Sequence, residues 1–263
     1  MPELPDVEVF RRYLQSHALR QRIHRADVAA PGLLRDVSVQ ALQRRIRGRR
    51  FVSTHRHGKY LFLQLDRGGW LLLHFGMTGY PVVGKQRQRP SDHARLRIHF
   101  ADGEVLSYFD PRKLGRIEVV DDLAAFIQSR KLGPDALTVK HDLFRQRLQQ
   151  KKASAKAALM DQQTLAGIGN VYADEILFKS NLSPLARLTE AKPATWARLY
   201  RVMRQVLREA IRKGADPSRL PRTYLLRHRH RTGQCPRCHR RLQTIRVGGR
   251  TTYFCPRDQR RVA

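Results

Sequence analysis

Val7, Phe10, Tyr13 and Leu14 fall on one face at helical spacing, which predicts an amphipathic helix from about residue 6 to 18. The period then changes. Tyr60-Leu61-Phe62-Leu63 and the run from Trp70 to Phe75 flank the turn Asp66-Arg67-Gly68-Gly69, and Ala94 to Phe100 with Val105 to Phe109 flank Ala101-Asp102-Gly103-Glu104, as strands flank hairpin turns. Residues 1 to about 130 therefore read as a β-rich domain with one leading helix, a sandwich. From about 138 helical spacing returns, with candidate helices at 142–150, 155–161, 170–179 and 192–213, and Gly133-Pro134 marks a hinge. A short basic segment bracketed by cysteine pairs closes the chain. The expected fold class is α+β multidomain: a β-sandwich with a flanking helix over 1–130, a helical domain over 131–228, and a finger-like β-hairpin over 229–263.

Charge adds the next constraint. The 263 residues carry 52 Lys and Arg against 22 Asp and Glu, a net charge of +30, and the pI is near 11.4. Such an excess favours a polyanionic partner, because each neutralised phosphate releases counterions. The three cysteines all lie at or beyond position 235, which argues against a disulfide framework. No apolar run reaches the ~18 residues of a membrane span, and the acidic start is unlike a signal peptide. A nucleic-acid partner, no membrane, a monomer and a bacterial cytoplasmic location are expected.

Several short motifs carry candidate chemistry. Removal of Met1 makes Pro2 a secondary amine, which titrates near ~8 and can attack a sugar C1′ to form an iminium. Glu3 beside it could shuttle the protons that ring opening and elimination require, while Asp6 and Glu8 equally suit the positive end of the first helix. His57-Gly58-Lys59-Tyr60-Leu61 places a lysine at a strand entry, as a phosphate clamp or a solvated charge. His74-Phe75-Gly76-Met77-Thr78-Gly79 is a tight turn that either presents Met77 or buries it. Asp110-Pro111-Arg112-Lys113-Leu114-Gly115 sets an apolar residue beside an arginine, the make-up of a wedge that fills the gap left by an extruded base. Gly167-Ile168-Gly169-Asn170 runs into a helix whose free N–H groups could meet a phosphate, with Asn170 as its cap or as a donor. Cys235-x2-Cys238 and Cys255-x2-Asp258 have the spacing of two zinc knuckles, with Asp258 or His239 as fourth ligand and a metal-free finger as the alternative. Between them Arg246-Val247-Gly248-Gly249-Arg250-Thr251 is a basic hairpin tip suited to phosphate.

Taken in order along the whole chain, Pro-Glu-Leu-Pro, Gly-Lys-Tyr-Leu, His-x-Gly-Met-Thr-Gly, Asp-Pro-Arg-Lys-x-Gly and Gly-Ile-Gly-Asn-Val-Tyr-Ala-Asp-Glu resemble the formamidopyrimidine-DNA glycosylase and endonuclease VIII family of bifunctional base-excision enzymes. The resemblance implies an N-terminal β-sandwich, a helix–two-turns–helix domain and a C-terminal zinc finger, with damaged double-stranded DNA across the cleft between them. It implies Pro2 as nucleophile, Glu3 as general acid and Lys59 as the essential strand lysine at a phosphate. Met77, Arg112 and Leu114 fall on the void-filling triad, Asn170 and Arg250 on phosphate-gripping positions, and Lys156 on a further basic position in the binding cleft. Cys235, Cys238, Cys255 and Asp258 would hold one structural Zn2+. The implied activity is removal of oxidised bases through a proline Schiff base, followed by nicking through β,δ-elimination.

Four departures qualify the resemblance. Asp6 replaces the family's usual Glu, Leu114 its usual Phe, and Asp258 its fourth finger Cys. The stretch from Gly214 to Gln234 is short where the formamidopyrimidine branch has a loop that closes over flipped 8-oxoguanine. An endonuclease VIII-like preference for oxidised pyrimidines or hydantoins is therefore one rival reading, and a non-catalytic binder of damaged DNA is another.

Overall fold

The computed structural model describes residues 2–85 and 92–260. Met1, on whose removal the nucleophile depends, lies outside the described residues. The chain divides into two compact units, one gathering Pro2 and Asp6–Arg130, the other Glu3–Pro5 and the residues from Lys131 onward.

The first unit contains α1 (Leu4–His17), β1 (Ile23–Val28), α2 (Val39–Ile46), β2 (Phe51–His57), β3 (Tyr60–Leu65), β4 (Trp70–His74), β5 (Tyr80–Lys85), β6 (Ala94–Phe100), β7 (Glu104–Phe109), β8 (Arg116–Val120) and α3 (Leu123–Ser129). Its strands form two antiparallel four-stranded sheets, ordered β1-β6-β7-β5 and β2-β3-β4-β8. Leu61, Leu63, Leu71 and Leu73 of one sheet share a core with Leu96, Ile98, Leu106 and Tyr108 of the other, closed by Val7 and Leu14 of α1. This is the expected sandwich, held by the period-2 alternation that turns one face of each strand inward.

Two elements differ from expectation. Helix α1 begins at Leu4, earlier than the apolar spacing indicates, because a proline in a first helical turn forfeits no intrahelical bond and Pro5 sits there. Among the described residues the unit also has two α-helices beyond the leading one. Helix α2 buries only Leu42 and Ile46, and α3 only Phe126. Each is short, although Val39, Leu42 and Ile46 of α2 do share one face, and each is started by a side-chain cap, Ser38 for α2 and Asp122 for α3. Phe126 packs edge-on against Phe62 and Tyr60, which explains why β3 is buried on both faces.

The second unit holds α4 (His141–Gln149), α5 (Ala155–Met160), α6 (Asn170–Lys179), α7 (Pro193–Arg212), β9 (Gln243–Val247) and β10 (Arg250–Phe254). Trp196, Leu199, Met203, Val206, Leu207 and Ala210 recur along α7 at intervals of three and four residues and bury its inner face with Phe144, Leu148, Leu159, Ile176 and Leu177. The β9–β10 hairpin closes through Gly248 and Gly249, both at positive φ, the conformation of a two-residue type I′ turn. Among the described residues, no helix is long and apolar enough to cross a membrane.

Candidate active site

Glu3 is almost fully buried, and its position follows from backbone donors. Its carboxylate accepts from the N–H groups of Gly169 (2.8 Å), Val171 (2.8 Å) and Tyr172 (3.2 Å) at the start of α6. The N-cap of that helix, Gly169, has no side chain to offer, so Glu3 caps it from the far end of the sequence. A Cβ on Gly169 would overlap the Glu3 carboxyl carbon, so the second glycine of the Gly-x-Gly motif admits this carboxylate. Three of the donors at this helix start are therefore taken by the chain's own Glu3. Leu4 adds a backbone bond to Gly167, and Pro2, half-buried, is one peptide bond from this anchor.

Lys59 sits between β2 and β3 in a turn fixed from beneath. Glu8 accepts from Arg56 (3.1 Å), and Arg56 donates onward to the Gly58 carbonyl (3.0 Å). Burial raises the Glu8 carboxyl, but hydrogen bonds from Arg11 and Arg12 and the charges of Arg11 and Arg56 outweigh it and bring it down to about 2. Glu8 is thus a structural anchor for the Lys59 turn. On the neighbouring strand, burial, together with the charges of Arg116 and Lys59, lowers His74 to about 4 and keeps its ring neutral.

The structure brings the Met77 turn together with the loop carrying Arg112 and Leu114. Buried Asp110 accepts from the Thr78 hydroxyl (3.1 Å) on one oxygen and from the Gly115 N–H (2.7 Å) on the other. The turns touch so closely that a Cβ on Gly76 would lie 2.5 Å from the Leu114 carbonyl carbon. Leu114 is 47% exposed, Arg112 is exposed and Met77 is half-buried outside the core. Met77 is thus not among the buried core residues.

Lys156 departs most from expectation. Read as a basic DNA contact, it is fully buried on α5. Its ammonium pairs with Asp174 (2.7 Å) and donates to Asn170 Oδ1 (2.7 Å) and Thr252 Oγ1 (2.7 Å). Burial pulls its pKa below the ordinary lysine value, against the opposing charge of Asp174. A lysine only donates, so the Asn170 oxygen must face it and the Asn170 NH2 group points elsewhere as a donor. Asn170 is the first helical residue rather than the cap. Asp174 also accepts two bonds from Arg229 (3.0 and 2.8 Å) and one from the Tyr253 N–H (3.2 Å), joining α5, α6 and the β9–β10 hairpin that carries exposed Arg250.

Cys235, Cys238, Cys255 and Asp258 each offer one ligand atom, and the four atoms all lie within 4.8 Å of one another. Asp258 Oδ2 is 3.0 Å from Cys235 Sγ and 3.3 Å from Cys255 Sγ, and Cys238 Sγ is 3.5 Å from Cys255 Sγ. A tetrahedron built on ~2.0–2.3 Å metal–ligand bonds has edges of roughly 3.3–3.8 Å, slightly wider than the shortest of these separations, so the four donors are gathered closely enough to hold one structural zinc. His239 is exposed, at φ 60, and is not part of the cluster.

Comparison with known proteins places this geometry in a lineage. The family model described as formamidopyrimidine-DNA glycosylase N-terminal domain matches residues 1–117, that of the H2TH domain of the same enzyme matches 132–221, and that of a zinc finger found in FPG and IleRS matches 234–261. A formamidopyrimidine-DNA glycosylase of Geobacter metallireducens is 36% identical over 270 residues, covering 98% of this chain and 100% of the relative. One from Thermus thermophilus is 34% identical over 275 residues, with 98% of each chain covered. The crystal structure of the Lactococcus lactis enzyme bound non-covalently to DNA containing an AP site superposes with a TM-score of 0.89 at 27% identity, over 99% of this chain and 100% of that one. This chain belongs to the formamidopyrimidine-DNA glycosylase family. It is a base-excision repair glycosylase by that membership, of mixed α+β fold, with a C-terminal zinc finger.

Within this family member, the sequence left two supporting residues without a role. In sequence Asp110 marks only the head of its turn and Asp174 only a position within a motif. An Asp-Pro pair signals a turn but not its bracing, and Arg229 lies too far along the chain from Asp174 for any pattern to join them.

Proposed function

We propose that this chain excises oxidised bases of the formamidopyrimidine type from duplex DNA and nicks the resulting abasic site, with Pro2 as nucleophile. The Pro2 nitrogen forms a bond to C1′ as the C1′–base bond breaks, and the base leaves with a proton. The departing base takes its proton from solvent, while Glu3 takes the proton that the Pro2 nitrogen sheds and passes it to the sugar ring oxygen, so that opening of the ring leaves an iminium between Pro2 and C1′. Loss of a C2′ proton then expels the 3′ phosphate, a second elimination expels the 5′ phosphate, and water releases Pro2. The observation that carries this reading is the Glu3 anchor, which fixes the chain end beside the nucleophile through three backbone hydrogen bonds.

Lys59 and Arg250 grip phosphates in this reading, and Asn170 does so through the amide group that Lys156 orients. Met77, Arg112 and Leu114 fill the gap left by the extruded nucleotide. The zinc, held by Cys235, Cys238, Cys255 and Asp258, stiffens the hairpin that carries Arg250. The functional pieces run 1–130, 131–228 and 229–263, and the working form is a cytoplasmic monomer on DNA. Relatives were crystallised with an abasic site and with carbocyclic 8-oxo-G in DNA, which supports damaged DNA as the ligand.

The segment after α7 favours a second reading of the lesion. It forms two short 3-10 turns, Pro217–Arg219 and Leu225–His228, and buries Leu220, Tyr224 and Leu225. So little chain remains to close over a purine that oxidised pyrimidines or hydantoins are the rival substrates. Borohydride trapping on duplexes carrying 8-oxoguanine, an oxidised pyrimidine or an abasic site tests both. An adduct with a base lesion supports the bifunctional enzyme, and the best-trapped duplex names its substrate. No adduct on any duplex, or full activity in Pro2→Gly, overturns Pro2 as nucleophile.

A further inference from the structure

The outer face of α7 carries Arg201, Arg204, Arg208 and Arg212, which rim an open groove of about 500 Å³ with Gln205 and Glu209. Their spacing of three, four and four residues aligns them on one side of the helix, over about 16 Å at 1.5 Å per residue. The opposite side of α7 is the buried apolar face described above, so the arginines point away from the core. Helix α6 also packs on α7, and none of Lys156, Asn170 or Arg250 lines the groove.

An ordinary solvated helix face interleaves opposite charges. Here Glu209 is the one carboxylate in the groove, and it is paired with Arg212. Among the described residues Arg201 and Arg208 have no carboxylate partner, and both are exposed. Arg204 is held in place, donating to the Tyr200 hydroxyl at 2.7 Å with its guanidinium over the ring, while Tyr200 is itself bonded to the Val139 carbonyl at 2.9 Å. Four guanidiniums in a row, about 4.5 to 6 Å apart along the axis, match the regular charge of a nucleic-acid backbone, and guanidinium forks suit phosphate oxygens. The groove offers no free aromatic face for an unstacked base, because Tyr200 is covered by Arg204 on a ring already anchored.

We propose that this face of α7 is a second DNA-binding surface, which holds the sugar-phosphate backbone of an undamaged duplex without reading its sequence. It lies outside the residues assigned to the lesion site. The enzyme can then bridge two duplex segments, one at the lesion site and one on α7.

A bead-based bridging assay with the full chain tests this. A biotinylated lesion duplex is saturated with protein and washed, and a fluorescent undamaged duplex is added. The wild type retains the second duplex. In R201Q/R208Q/R212Q retention falls at least tenfold, while cleavage of the lesion duplex stays at the wild-type rate. The salt dependence of second-duplex binding loses roughly two to three units of log–log slope, at ~0.9 per phosphate contact. The charge-preserving R201K/R208K/R212K variant keeps most of the retention, which separates lost charge from lost fold. No retained duplex with the wild type, or equal retention by the Gln variant, overturns the proposal. So does retention of a labelled polyglutamate peptide where no second duplex is held, which would make this face a protein-docking surface. Loss of lesion cleavage in the wild type would bear on the Pro2 reading alone.

Discussion

Single side chains in this protein act through the company they are buried in. Glu175 of α6 is fully buried, and one of its oxygens accepts from the Leu226 N–H at 2.8 Å. Burial raises its carboxyl from 4.5 to about 7, against the hydrogen bonds and charges that lower it. The folded state therefore holds a proton that the unfolded chain releases between pH 4.5 and 7, so stability falls as the pH rises through that window. Glu175→Gln keeps an acceptor for Leu226 and never ionises. It is expected to match the wild type near pH 4.5 and to exceed it by up to about 3 kcal/mol at pH 8, at 1.36 kcal/mol per pKa unit. Urea unfolding at both pH values checks this, and an equal gap at the two would refute the burial account. Lys156 likewise depends on surroundings that the sequence does not display. Its motif resembles a basic position in a binding cleft, but nothing in a linear string shows that Asp174, Asn170 and Thr252 will surround it.

Elements differ in how legible they are. Helix α7 is long and strongly periodic, so its position follows from sequence alone, whereas α2 and α3 are short and bury one or two residues each. Strand β5 was missed for a similar reason, since two valines beside a proline and a glycine make too few apolar positions to form a pattern. The finger is legible in its spacing but not in its fourth ligand, because His239, next to Cys238, and Asp258, three residues after Cys255, both lie close to a knuckle in sequence. Only the folded hairpin brings Asp258 Oδ2 to the sulfurs and leaves His239 outside. A thiolate is a softer ligand than a carboxylate for zinc. Asp258→Cys should raise zinc affinity at least tenfold in a chelator competition, and unchanged affinity would remove Asp258 from the ligand set.

At the scale of the whole molecule the +30 charge is the dominant fact. A compact body of one sign repels itself, and salt screens that repulsion over a Debye length of about 10 Å at 0.1 M. The melting temperature should therefore rise as salt increases from about 20 to 200 mM, in scanning calorimetry without DNA. A fall would mean that ion pairs such as Glu8–Arg56 and Asp174–Arg229 outweigh the general repulsion. Sequence by itself determined the polyanion partner, the sandwich, the helical domain, the finger and the ordered motifs of the family, because periodicity, net charge and residue spacing are local or additive properties. Tertiary structure decided that Glu3 caps α6, that Asp110 joins two loops, that Lys156 is buried, and that Asp258 completes the metal cluster. Each of these depends on groups distant in sequence meeting at hydrogen-bond distance, and that proximity exists only once the chain has folded.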